Sequence, residues 1–167
     1  MELIETKTLG TAAASIEFTS IPQDGTDLLI KISGRTSGGA AAILIAFNGS
    51  TSSFSARILL GVGASAVSYT NAREAGTFNG AGDTSDTFGN TDVYIPNYTG
   101  STNKSYSADS VTENDGTSAY QSIVAGLWSN TDAITSLAIS GSSNLEAGST
   151  ISLYKITKGS DGIVTTS

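Results

Sequence analysis

Little in this chain could do chemistry, and most of what could is acidic. Gly82-Asp83-Thr84-Ser85-Asp86, followed by Asn90 and Asp92, gathers several oxygen donors in one short stretch, the kind of ligand set calcium takes. The spacing departs from the EF-hand pattern, and Asp and Asn also cap turns with their own side chains. Asp83, Asp86 and Asp92 are therefore candidate calcium ligands weighed against ordinary turn residues, with the turn as the expectation. Glu113 with Asp115, or Asp83 with Asp86, come nearest to the paired carboxylates of glycoside hydrolysis. Their neighbours are Gly, Ser, Thr and Asn, so they read as solvated loop acids.

Nucleophilic catalysis finds few parts. The chain has no histidine and no cysteine, so a Ser-His-Asp arrangement is excluded, along with thiolate chemistry, disulfides and imidazole metal ligands. A Ser-Lys dyad stays formally open, with Lys7, Lys31, Lys104, Lys155 and Lys158 as its only lysines, none in a nucleophile motif. Gly61-Val62-Gly63 is half of a nucleotide-binding glycine pattern, without the third glycine or a βαβ setting. Trp128 and the tyrosines could stack on sugar rings as in a lectin-like module, but Trp128 ends a long apolar run and reads as a core or subunit-interface aromatic. No enzyme and no cofactor are expected.

The elements carrying these residues follow from period-two alternation. Ile16 and Phe18, then Leu28, Ile30 and Ile32, then Ile43, Ile45 and Phe47 repeat at every second position. So do Val93 and Ile95, Ile123 with Ala125 and Leu127, Leu137 with Ile139, and Ile151 with Leu153. Turn signals punctuate them, among them Asp24-Gly25, Gly38-Gly39, Asn48-Gly49 and Asn79-Gly80. No stretch has a clean helical period. About nine or ten short strands predict an all-β, two-layer antiparallel sandwich, jelly-roll-like. One domain over residues 1–156 and a tail over 157–167 account for the 167 residues. Two long polar stretches, Asn71 to Asn90 and Asn97 to Ser118, read as loops, and long loops in compact domains carry contacts.

Charge narrows the partners. Only 14% of residues are charged, against about 25% in an average soluble domain, and the net charge is −7. A field of that sign repels phosphate backbones, so nucleic acid is not expected as a partner, whereas a basic protein surface would be attracted. No apolar run approaches the length of a membrane span, and Met1-Glu2-Leu3-Ile4-Glu5 has neither region of a secretory signal, so synthesis in a cytoplasm is expected.

The layout as a whole resembles small virion structural proteins of tailed bacteriophages, especially those of aquatic and marine bacteria. The likeness runs over Ile4-Glu5-Thr6, Ser15 to Pro22 and Thr26 to Ile30 at the start. It continues with Phe47-Asn48-Gly49, Arg57 to Gly61 and Tyr94 to Tyr98, and ends with Leu127-Trp128, Ala133 to Leu137 and Gly148 to Ile156. The sequence departs from the group at Lys155, where a glycine is expected, and after Ile156, differences assigned to quaternary contacts. The resemblance implies a β-sandwich virion component without enzymatic activity, on the capsid or the tail. The first expectation is a capsid decoration or cement protein, a homotrimer bound to the major capsid protein on the outside of the shell. A tail or fibre part touching host glycans is the second, and a free carbohydrate-binding module the third. Contacts are expected from the N-terminal strand, through Glu2, Ile4 and Thr6, which suits addition to a neighbour's sheet edge. The two loops are expected to contribute Asp83, Asp86, Asp109, Glu113 and Asp115.

Overall fold

A computed structural model describes residues 1–116 and 119–159. Residues 117–118, at the end of the second expected loop, and 160–167, most of the expected tail, lie outside the described residues. The chain forms twelve strands. They are β1 (Glu2–Thr8), β2 (Ala13–Phe18), β3 (Asp27–Gly34), β4 (Ala41–Phe47), β5 (Phe54–Val62) and β6 (Ser65–Thr70), followed by β7 (Glu74–Phe78), β8 (Gly89–Ile95), β9 (Lys104–Thr112), β10 (Tyr120–Trp128), β11 (Leu137–Leu145) and β12 (Thr150–Ile156). None of the described residues is helical, so none could cross a membrane as a helix.

Two antiparallel sheets stack. One has eight strands in the order β1-β12-β3-β8-β9-β10-β5-β6, the other four in the order β2-β11-β4-β7. Removing the hairpins β5–β6 and β9–β10 leaves eight strands in two four-stranded sheets, β1-β12-β3-β8 and β2-β11-β4-β7, with the chain changing sheet at every step except β4 to β7. That is the jelly-roll winding, and the two hairpins extend only one of its sheets. The alternating aliphatics meet between the layers: Leu28, Ile30 and Ile32 from one side, Ile43, Ile45 and Ile139 from the other, all essentially sealed from solvent.

The sealed set is larger than the aliphatic alternation shows. Trp128 is 1% exposed and packs with Phe47 and Phe54, ring centroids 5.5 and 6.0 Å away. Strand β10 has the opposite phase from the one its aliphatics indicate. Ser122, Val124, Gly126 and Trp128 face the core, while Ile123 and Ala125 face solvent. One indole and the need for a glycine at position 126 set the phase. Tyr106, the cross-strand partner of Gly126, lays its ring over it, and a Cβ there would stand 2.0 Å from the ring.

Each of the two expected loops contains strand. Asn71 to Asn90 contains β7 and the start of β8, and Asn97 to Ser118 contains the nine-residue β9. β9 alternates strictly between buried and exposed residues, but its buried positions are Lys104, Tyr106, Ala108, Ser110 and Thr112, a set with one large apolar residue. Small groups are needed there because β7 crosses close above. At Gly76, whose φ is +133°, an added Cβ would lie 2.6 Å from Ser110.

Candidate contact surface

The acidic loop between β7 and β8 is organised by a buried cation. Arg35, 5% exposed, donates from Nη1 to the carbonyls of Thr84 (2.9 Å) and Thr87 (3.0 Å) and from Nη2 to that of Asp83 (3.2 Å). Its Nε faces Glu146 at 3.1 Å. Asp83 accepts from the Gly80 amide (2.7 Å) and from Asn114 Nδ2 (2.8 Å), so its carboxylate works as a loop cap. The carbonyls a calcium ion would use are thus occupied by a guanidinium. Asp92 is not in this loop at all. It sits on β8 and pairs with Lys31 of β3 at 2.7 Å. Asp83, Asp86 and Asp92 are not brought together, and no cluster of three or more metal-ligating side chains occurs among the described residues. Glu113 and Asp115 do not face each other across a cleft. Glu113 Oε1 accepts from the amides of Asn114 (2.9 Å) and Asp115 (2.7 Å) and closes its own turn.

Each of the five lysines is engaged with a carboxylate or a carbonyl. Lys7 donates to Glu17 O (2.7 Å), and Lys104, fully buried, donates to the carbonyls of Gly100 and Thr131 at 2.6 and 3.3 Å. Burial holds the Lys104 ammonium below its ordinary pKa. Lys155 meets both oxygens of Asp24 (2.8 and 2.7 Å) and lies 3.4 Å from Glu2. The hydrogen bond from Lys155 holds Asp24 below the usual carboxylate range, and Asp24 in turn raises Lys155. Lys155 thereby ties β12 to Asp24 and to β1 within one chain.

Asp27 is the second buried polar hub. It is 2% exposed and accepts from Tyr94 Oη (2.7 Å), from the Asn97 amide (3.0 Å) and from Lys158 (2.5 Å). Lys158, inside the expected tail, is thereby fastened to the domain. Burial pushes the Asp27 carboxyl up, but Lys158, Tyr94 and the amide outweigh it and hold the group below its ordinary value. A carboxyl lowered on folding stabilises above its unfolded pKa, and that stabilisation is lost as pH falls through the folded one. Thermal melts should therefore fall steeply below about pH 4. Asp27→Asn should melt lower at neutral pH and lose part of that slope; an unchanged slope would remove Asp27 from the acid response.

The N-terminal strand is an edge strand: β12 takes one side of it and its other side is open. β1 pairs with β12, Thr6 Oγ1 bonds Ser152 Oγ at 2.8 Å, and a register shift lies between Leu3 and Glu5. That irregularity and the charges of Glu2, Glu5 and Lys7 protect this edge from further pairing. The opposite edge has no such device. β6 reads Ser-Ala-Val-Ser-Tyr-Thr, uncharged and exposed over all but one residue.

The outward face of the large sheet is the other open surface. One cross-strand row runs Thr6–Ser152–Lys31–Asp92 over the first four strands and Asp109–Ile123–Leu59–Ser68 over the last four. Ile123 is 57% exposed and its partner Leu59 53%. Beside them are two hollows. One, about 320 Å³, is lined by Leu29, Asp92, Tyr94, Asp109 and Ile123; the other, about 420 Å³, lies around Arg57, Ala125 and Gly126. Asp109 is thus a face residue and not a loop residue. The alternation of Ile123, Ala125 and Leu127 with Ser122, Val124 and Trp128 leaves open which of the two faces is buried, so the sequence does not show this apolar ridge. In comparisons with family models, curated proteins and solved structures, nothing matches this chain.

Proposed function

We propose that this chain is a structural part of a bacteriophage virion with no enzymatic role, a capsid decoration protein that binds the outside of the major capsid shell as a homotrimer. The observation that carries the reading is the pair of open surfaces on a jelly roll, a fold that recurs in viral capsid domains. An aliphatic ridge of Leu59 and Ile123 stands on the outward face, next to an uncharged edge strand. Exposed apolar area of this kind marks association surfaces, and an unprotected edge is completed by a neighbour's chain. Each lysine is held by a carboxylate or a carbonyl, and among the described residues none by a serine hydroxyl, which favours a structural part over a Ser-Lys hydrolase.

Quantitative mass spectrometry of purified particles tests the reading. A decoration protein is present at a copy number comparable with the major capsid protein; a handful of copies would move the chain to the tail, and absence would overturn the proposal. A glycan-touching tail part or a free carbohydrate-binding module is favoured by one feature only. Tyr94 and Tyr154, half-buried, flank Leu29 on the outward face, whereas Trp128 is sealed in the core.

A further inference from the structure

The outward face of β9, β10, β5 and β6 carries two ionic side chains, Arg57 and Asp109, both exposed. Neither has an ion-pair partner among the described residues, whereas Lys31 and Asp92 on the neighbouring strands pair with each other. Their placement is diagonal. Asp109 lies on the row of Ile123 and Leu59, next to Ile123, and Arg57 lies two residues from Leu59 on β5, opposite Ala125. With strands about 4.8 Å apart, the two backbone positions stand roughly 10 Å or more from each other across the aliphatic ridge, and the two side chains form no ion pair. Asp109 also lines the 320 Å³ hollow with Asp92 and Tyr94, and Arg57 borders the 420 Å³ hollow.

We propose that this face is an interface between copies of the chain, in which Arg57 of one copy enters the hollow beside Asp109 of the next while Leu59 and Ile123 of the two copies cover one another. Charge complementarity selects a second copy over other occupants. A patch with one cation and one anion on opposite flanks of an apolar ridge is complementary to itself, because turning one copy onto another brings unlike charges together and ridge onto ridge. A strongly basic partner would meet Arg57 in the middle of its contact, and a strongly acidic one would meet Asp109 and Asp92. A self-complementary contact joins copies in pairs, so this face would link two copies, whether free or belonging to neighbouring homotrimers, and it rests on the proposed virion role for neither its geometry nor its copy number.

The test is a charge exchange on the full chain, read by light scattering and sedimentation. Wild type should self-associate, more weakly as salt rises. Arg57→Asp and Asp109→Arg should each weaken association by about tenfold or more, through like charges brought together. The double variant Arg57→Asp/Asp109→Arg should recover most of the loss. All four proteins should give the same circular dichroism spectrum, because both sites are exposed. As a variant independent of charge, Ile123→Ser should also weaken association. A wild-type monomer at high concentration, or a double variant as weak as the sum of the single ones, would overturn the proposal. If association fails while the chain still decorates particles, the interface is wrong and the virion reading stands. If copies associate as described but the chain is absent from particles, the reverse holds.

Discussion

Replacing Arg35 by Met should cost about 3 kcal/mol, the order expected when the charged donor of three loop carbonyls and of a part-exposed carboxylate is removed. In a domain of this size that lowers the melting temperature by about 8 °C. The guanidinium leaves three loop carbonyls, those of Asp83, Thr84 and Thr87, without their donor, and Glu146 without its cation. The loop from Gly80 to Phe88 should then become the first site of proteolytic nicking, because side-chain caps such as Asp83 on Gly80 hold only its start. Arg35→Lys should recover less than half of the loss, since an ammonium cannot reproduce the planar fork that spans loop and Glu146 together. Calcium added to wild type should leave the melt unchanged. A rise in melting temperature with calcium would contradict the assignment of those carbonyls to Arg35.

Gly126→Ala should cost about 3 kcal/mol, near the upper end for an added methyl group in a packed core. The new Cβ would lie 2.0 Å from Cζ of Tyr106. That ring has little room to retreat, because Phe47 stands edge-on at 6.3 Å and the hydroxyl donates to Glu74 O at 3.0 Å. Covering a strand glycine with a cross-strand aromatic is a known way to fix register. A double-mutant cycle separates this clash from mere loss of glycine. In the Tyr106→Ala background, Gly126→Ala should cost little, giving a coupling of at least about 1 kcal/mol. Additive effects would mean that the ring yields.

These two sites show where the sequence was legible and where it was not. Strands β2, β3, β4, β8, β11 and β12 reveal themselves because one face of each is aliphatic and lies between the layers. β9 escapes because β7 passes so close that only Ser, Ala and Thr fit beside Tyr106, and β6 escapes because the four-stranded sheet leaves its inner face open. On β10 alternation was visible but its phase was not. Ile123, Ala125 and Leu127 look like a core stripe until the volume of Trp128 and the ring over Gly126 decide otherwise. That inversion also hid the exposed ridge of Leu59 and Ile123, since an exposed isoleucine is indistinguishable from a buried one by composition alone. The acids of the expected loops were legible as turn formers: Asp83 and Glu113 cap turns, whereas Asp92 and Asp109 stand on strands.

The most direct measurement is a density map of the assembled phage particle with this chain placed in it. The account predicts the jelly roll on the exterior of the shell, with the face bearing Leu59, Ile123, Arg57 and Asp109 covered by another copy and the β6 edge adjoining a neighbouring chain. A map that places the chain outside the shell lattice, or on the shell with that face open to solvent, would contradict it.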